Sequence, residues 1–401
     1  MVQASDTSQG HHCEPGRFNF GLSAAQEARA TRLHSDSIVF DMLSMYGGSN
    51  IFAHYSPDLQ EALRVRVATA RSRSEKIAAA IYWPFEMARE GRSELIHEWF
   101  LQGGLTCGAY GVEDLGDEGC DSLSGDWDKK IQRYAQLPWL RCISTAAEIR
   151  AAKRDGVVAL YANCQPLNPL PRDLQFLDKA YGKGLRSFML TYNRMDNIGT
   201  GCTERVDTGL SMFGVEVVRR CNELGIIVDV SHCGRATTLD ACRYSTKPVT
   251  ANHTAARKIH EHARGKGDEE IRAIAATGGV VGVVAVPHFL SSAPAPTLEH
   301  MLDHIDYIAG LAGWQHVAIG TDWPWPIPEE VRVATLGPDY DRRVGFREQD
   351  GIDRSKRLLG FQDCRDLPNI TRGLVKRGYN DEQIRGVLGE NALRVWEEVC
   401  R

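Results

Sequence analysis

Long apolar stretches are missing from this chain. No run approaches the roughly 20 consecutive apolar residues that cross a bilayer, and the C-terminus ends in the charged VWEEVCR, so neither a membrane span nor a lipid-anchor tail is expected. The N-terminal MVQASDTSQGHHCEPG has neither the positive leading region nor the apolar core of an export signal, which points to a cytoplasmic protein with no membrane partner. Blocks of one charge are missing too. The 47 basic and 52 acidic residues are spread along the whole length for a net charge of -5, leaving no basic stripe that could track phosphates and excluding nucleic acid as an expected partner. The eleven cysteines include no CxxC pair and no regular spacing, which fits reduced thiols and excludes a disulfide framework or a structural zinc knot. Repeats and low-complexity tracts are also absent.

What remains is an ordinary globular composition, 401 residues with 43% hydrophobic content, enough for one large barrel or two smaller domains. From about Ile38 onward, short apolar runs rich in β-branched residues alternate with helical patterns, as parallel strands with crossover helices do. Eight such runs are read: Ser37 to Leu43, Gly104 to Tyr110, Gly156 to Ala162, Leu185 to Tyr192, Ile226 to His232, Lys247 to His253, Gly279 to Val286, and His316 to Asp322. Eight strands close a barrel, so the expected fold is α/β, a (β/α)8 TIM barrel; an open doubly wound sheet is the alternative.

The expected organisation is a polar N-terminal arm over residues 1–30 and a single domain over 31–401, with a helical insertion at about 49–100 after the first strand. The mixed-charge RVRVATARSRSEK in that insertion reads as a solvated helix face. Between runs four and five, GLSMFGVEVVRRCNELG has apolar residues at helical spacing and a stop at Gly225. The loop-rich stretch from Trp323 to about Asp363 is expected to cover the barrel mouth, and two closing helices follow it.

Active sites of such barrels lie at the C-terminal ends of the strands, so the polar residues ending the runs carry the argument. These are Gln165, Tyr192, His232, His253 and Asp322. Two histidines ending consecutive strands can converge on one cation, since imidazole nitrogen is a good ligand for zinc; two hydrogen-bonded structural histidines are the bland alternative. Asp322 offers a carboxylate to the cation or to the proton of a water made acidic by it. Arg264 lies eleven residues past His253, at the expected start of a helical segment, where a guanidinium can grip a substrate carboxylate. Cys164 and Cys233 adjoin site residues, but the alternation of a strand turns neighbouring side chains to opposite faces. The loop NRMDNIGTGCTERVDTG after Tyr192 has turn chemistry and is placed over the mouth.

The blocks VDVSHC, PVTANHTAAR, HVAIGTDW and LPNITRGLVKRGYNDEQIRGVLGENALRVW resemble, in order, those of the membrane (renal) dipeptidase family. The likeness runs from about Thr31 to the C-terminus and is densest over the last 240 residues or so. It implies an amidohydrolase-like metallohydrolase that cleaves dipeptides with a hydroxide held between two zinc ions, in a homodimer. By position, His232 and His253 match the two imidazole ligands of one zinc, Asp322 the carboxylate handling the proton of the attacking water, and Arg264 the arginine holding the substrate carboxylate.

Elsewhere the chain departs from the family. FDMLSMYG places Leu43 and Met45 where the family has a His-x-Asp pair, and neither binds zinc well. Gln165 stands for the bridging carboxylate and Tyr192 for a histidine at the scissile group. With so few carboxylates left, the expectation is one Zn2+ or other divalent ion rather than two, held by His232, His253, Gln165 and Asp322. The first metal position is expected to be filled by apolar side chains. Tyr192 is then a substrate-binding and catalytic hydrogen-bond donor, Asp322 a catalytic acid-base, and Arg264 the binder of a small substrate bearing a carboxylate. Three readings stay open: hydrolysis of a dipeptide-like or N-acyl amino acid amide, a lyase or isomerase using the metal as Lewis acid, and a metal-free binding protein.

Overall fold

A computed structural model describes residues 14–44, 51–112, 127–166, 170, 172–322 and 329–401. The fold is α/β, built on a parallel sheet. Its strands are β1 (Cys107–Gly111), β2 (Leu140–Ile143), β3 (Val158–Cys164), β4 (Leu185–Met189), β5 (Ile227–Asp229), β6 (Val249–Ala256), β7 (Gly265–Lys266), β8 (Val280–Val283) and β9 (Val317–Ile319). Seven of them form the path β1-β3-β4-β5-β6-β8-β9, while β2 pairs with β3 and β7 with β6. All pairs are parallel, so every strand delivers its C-terminal end to the same side of the sheet.

The run from Ser37 to Leu43 is not a strand. Phe40 bridges Cys107 on β1 and Asp41 bridges Ile319 on β9, each as an isolated parallel bridge. A segment that gives one residue to each of two different strands builds no consecutive ladder. It is nevertheless held on both sides, by Asp41 N to Cys107 O at 3.0 Å and Met42 N to Ile319 O at 3.0 Å. Asp41 adds side-chain bonds, accepting from Thr321 N at 2.8 Å and from Thr321 Oγ1. Strands β2 and β7 lie outside the eight expected runs; each is short and pairs only beside a longer neighbour.

Helices Ile51–His54, Pro57–Thr69, Arg73–Arg89 and Leu95–Gly103 lie between that segment and β1. Met212–Leu224 forms as its pattern demands. Ser211 Oγ accepts from Gly214 N at 3.0 Å, Val217, Val218 and Cys221 are buried, and Gly225 takes the left-handed conformation (φ 81°) that ends it. The last helix, Asn391–Val399, follows a π turn at Gly386–Glu390. It inserts Trp396 against Phe40 and Tyr161, with ring centroids 5.9 and 4.9 Å away, among the residues that open β1, β5 and β8.

Leu43, at one expected apolar position, is buried in this same cluster; Met45 lies outside the described residues. So do Trp323 and the five residues after it, the start of the expected cover. No helix among the described residues is long and apolar enough to cross a membrane. The nine described cysteines, Cys164 and Cys233 among them, are buried or half-buried.

Close approach fixes two glycines. A Cβ on Gly320 would meet Asn252 O at 1.7 Å, and one on Gly282 would meet the same oxygen at 2.1 Å. β6 therefore lies tight against the backbones of β8 and of the residue after β9 just where it carries His253.

Candidate active site

The end of β5 is organised by Asp229, which is fully buried. Its carboxylate accepts from Ser231 N at 3.0 Å, from Thr250 Oγ1 at 3.0 Å and from Asn252 N. One acid thus ties the turn after β5 to β6, and burial still pushes its carboxyl above the ordinary range. From that turn His232 projects, three residues past the strand. His253 lies inside β6 rather than at its end, because β6 continues to Ala256 and pairs there with β7.

The two rings meet. His232 Nε2 and His253 Nε2 are 2.9 Å apart. His232 Nδ1 donates to Asn193 Oδ1 at 2.7 Å, and the Asn193 amide is oriented by its Nδ2, which donates to Val344 O at 2.9 Å. His253 Nδ1 donates to Asn252 Oδ1, an oxygen that also accepts from Ser231 Oγ at 3.0 Å. Both Nδ1 atoms therefore carry the ring hydrogen, and in the neutral rings both Nε2 atoms present lone pairs to each other. Protonation does not relieve this readily. Burial first, then the charge of Arg264 and that of Lys266, hold both imidazoles well below the usual range. A cation between two neutral imidazoles, each fixed through its second nitrogen, satisfies this arrangement, so the residues present fit a metal ion at two ligands. Among the described residues no group of three or more His, Cys, Asp or Glu side chains could hold a metal ion. Asp322 is therefore not gathered with the two imidazoles into one ligand cluster.

Tyr192 covers His232, its ring stacked on the imidazole with centroids 4.0 Å apart and planes 20° apart. Burial pushes its phenol far up, with contributions from Tyr340 and Asp322, so the hydroxyl keeps its proton. Asp322 follows β9 by three residues in a left-handed conformation (φ 45°) that a non-glycine residue seldom takes. Its N–H donates to Leu43 O at 2.7 Å. Loss of hydration raises its carboxyl to about 7, against the pull of Arg264 and Arg354 and with a push from Asp41. Gln165 directly follows β3, half-buried, at the same end of the sheet.

Arg264 departs from expectation. It precedes β7, not a helix, and is 1% exposed. Its Nη1 donates to Ser231 O and its Nη2 to His253 O at 2.9 Å, so two of its donors brace the backbones that carry the site. Nε is buried without a hydrogen-bond partner among the described residues. Behind it Lys266 Nζ donates to Cys233 O at 2.7 Å and Thr238 Oγ1 at 2.8 Å and pairs with Glu270 at 3.4 Å, with both side chains buried.

Asn193, Asn252, Asp229, Lys266 and Arg354 were not singled out from the sequence. Asn193 and Asn252 each adjoin a candidate site residue, which is a signal of sorts. However, asparagine beside a strand end is ordinary turn chemistry, and nothing local reveals which ring it serves.

A family model described as membrane dipeptidase (peptidase family M19) matches residues 27–331 and 343–401. The chain is 28% identical over 269 residues to the uncharacterized dipeptidase C965.12 of Schizosaccharomyces pombe, covering 65% of this chain and 58% of that protein; the match thus spans less than two thirds of that relative. An amidohydrolase from Pseudomonas aeruginosa superposes with a TM-score of 0.70 at 26% identity, over 92% of this chain and 99% of that one. A metallopeptidase from Rhodobacter sphaeroides, liganded with a phosphinate mimic of the dipeptide L-Ala-D-Ala, has the same fold, with a TM-score of 0.63 at 18% identity over 91% of this chain and all of that one. The chain belongs to the membrane dipeptidase family, peptidase family M19.

Proposed function

We propose that this protein hydrolyses the amide bond of a dipeptide-like or N-acyl amino acid substrate at a centre with one divalent ion, most simply zinc. The observation that carries the reading is the convergence of His232 Nε2 and His253 Nε2 with both Nδ1 atoms spent on asparagine oxygens. His232 and His253 would hold the ion, with Gln165 as a neutral oxygen donor. The loss of the His-x-Asp pair to Leu43 and Met45 argues against a second ion. When bound, such an ion supplies Lewis acidity that polarises the carbonyl and acidifies water.

The chain's own groups do the rest. Asp322, with its carboxyl near 7, is balanced to take the proton of the attacking water as the C–O bond forms. It returns that proton to the amine nitrogen as the C–N bond breaks. Tyr192 donates its hydroxyl hydrogen to the oxygen that gains charge. Arg264, with Nε unspent, offers charge and one donor to the substrate carboxylate. The architecture that places them is read as a closed (β/α)8 barrel, the bridged segment at Phe40 and Asp41 being its eighth stave.

The test is elemental analysis of purified protein together with a product screen over dipeptides, D,L-dipeptides and acyl amino acids. About one ion per chain, lost in His232→Ala and His253→Ala, with amide cleavage lost in parallel, is the expected result. Protein that takes up no divalent ion, or that cleaves equally well without the two histidines, overturns the reading.

A further inference from the structure

Asn193 is fully buried and touches two things that are far apart in the chain. Its Oδ1 holds His232, while its Nδ2 holds Val344 O, 151 residues away. Val344 belongs to the segment from Tyr340 to Arg354, which is folded on itself by the pairing of Arg354 with Asp341 and by the Arg354 guanidinium over the Tyr340 ring at 5.3 Å. This segment rests on the loop after β4 at further points. Arg194 Nη2 donates to Arg342 O at 2.7 Å, and Gly345 lies so close that a Cβ there would come within 3.0 Å of Asn193 Cβ.

A second tether runs to the other side of the site. Arg264 N donates to His262 Nδ1 at 3.0 Å, which leaves His262 Nε2 as the donor to Asp350 O at 2.8 Å. Phe346 is buried and packs on Phe289, which lies beneath the guanidinium of Arg264.

We infer that residues 340–354 form a cover whose seating is coupled to the imidazole pair, with Asn193 as the positioning residue that transmits it. The physics is that of one amide with two ends. With the cover seated, Val344 O engages the NH2 group and the oxygen is committed to His232 Nδ1, which fixes the ring's tautomer and aims Nε2. With the cover lifted, the amide loses the bond that orients it, and the ring loses its fixed acceptor. Coupling of this kind is reciprocal, so an ion held by the rings favours the seated cover by the same free energy. The inference rests on the proposed ion site.

The experiment is Zn2+ titration against a competing chelator on the full chain, with hydrogen exchange of residues 340–354 followed with and without Zn2+. In the wild type, Zn2+ slows exchange in the cover. Asn193→Ala should bind Zn2+ roughly 10- to 100-fold more weakly, the usual effect of losing such a partner, and should lose that protection. Asn193→Asp keeps an oxygen for His232 but has no donor for Val344, so it should retain Zn2+ binding while the protection disappears. Phe346→Ala, which loosens the cover without touching Asn193, should also weaken Zn2+ binding. Protection that persists unchanged in Asn193→Asp, or Zn2+ affinity indifferent to Phe346→Ala, overturns the coupling while the ion site stands. A wild type that binds no Zn2+ overturns both, because the site itself is then wrong.

Discussion

His232 and His253 face each other through Nε2 atoms 2.9 Å apart, each ring having given its other nitrogen to an asparagine oxygen. Two neutral imidazoles so arranged repel through their lone pairs unless a cation separates them. Removing divalent ions should therefore lower the melting temperature. An ion at about a hundred times its Kd stabilises the native state by about 2.7 kcal/mol, so a chelator should cost a few degrees. Thermal unfolding followed by circular dichroism checks this: the chelator effect should vanish in His253→Ala, and an equal shift in that variant would count against the site.

Tyr192 stacks on His232 and keeps its proton. Phenylalanine preserves the stack and removes only the donor. Tyr192→Phe should lower kcat by roughly a hundredfold, the scale of about 3 kcal/mol for one donor to a developing oxyanion, with KM and bound ion unchanged. Unaltered kcat would leave the tyrosine as packing alone.

Arg264 spends two donors on Ser231 O and His253 O. Lysine keeps the charge and cannot form the fork. Arg264→Lys should therefore lose stability, by about 2 kcal/mol for a charge-assisted bond to a buried carbonyl, as well as raise KM. Urea unfolding and steady-state kinetics on the same preparation separate the two effects. A higher KM at full stability would make the arginine a substrate ligand with no structural task.

His34, remote from the site, sets an acid limit. Its Nδ1 accepts from Thr371 Oγ1 at 2.7 Å and its Nε2 donates to Gly103 O at 2.9 Å, so a second ring proton on Nδ1 would force the Thr371 hydroxyl to turn its hydrogen away. Burial above all lowers its pKa to about 4 from 6.5. The unfolded chain takes up the proton near 6.5 and the folded one only near 4. Stability held above pH 6.5 is thus lost as the pH falls toward 4, by about 3 kcal/mol in total. His34→Gln keeps a donor for Gly103 O and does not titrate, so its stability should fall less than that of the wild type over that window. Parallel urea midpoints from pH 7 to 4 for the two proteins would refute this.

The sequence was most legible where local rules suffice. β-branched runs reported β3 to β6, β8 and β9 because parallel strands buried on both faces must be apolar throughout. Ser211 and Gly225 bounded a helix because caps and left-handed stops are local chemistry. The same logic overstated Ser37 to Leu43, whose apolar pattern says that it is buried but cannot say that its partners lie on two different strands. It also missed β2 and β7, which are too short to show a period.

His232 and His253 stand side by side because β5 and β6 pair in parallel, with His232 in the turn after β5 and His253 within β6. Arg264 is braced against the backbone at Ser231 O and His253 O, a role no spacing reveals.

By itself the sequence determined which residue types stand in and just after the strands, and hence two imidazoles, a tyrosine, an acid and no His-x-Asp pair. Only the tertiary structure decided what each of them faces. Asn193 joins His232 to Val344, and Arg264 reaches Ser231 O, through bonds between residues that are distant in the chain. Hydrogen bonds are short-ranged and directional, so such partners exist only once the backbone has brought them within about 3 Å.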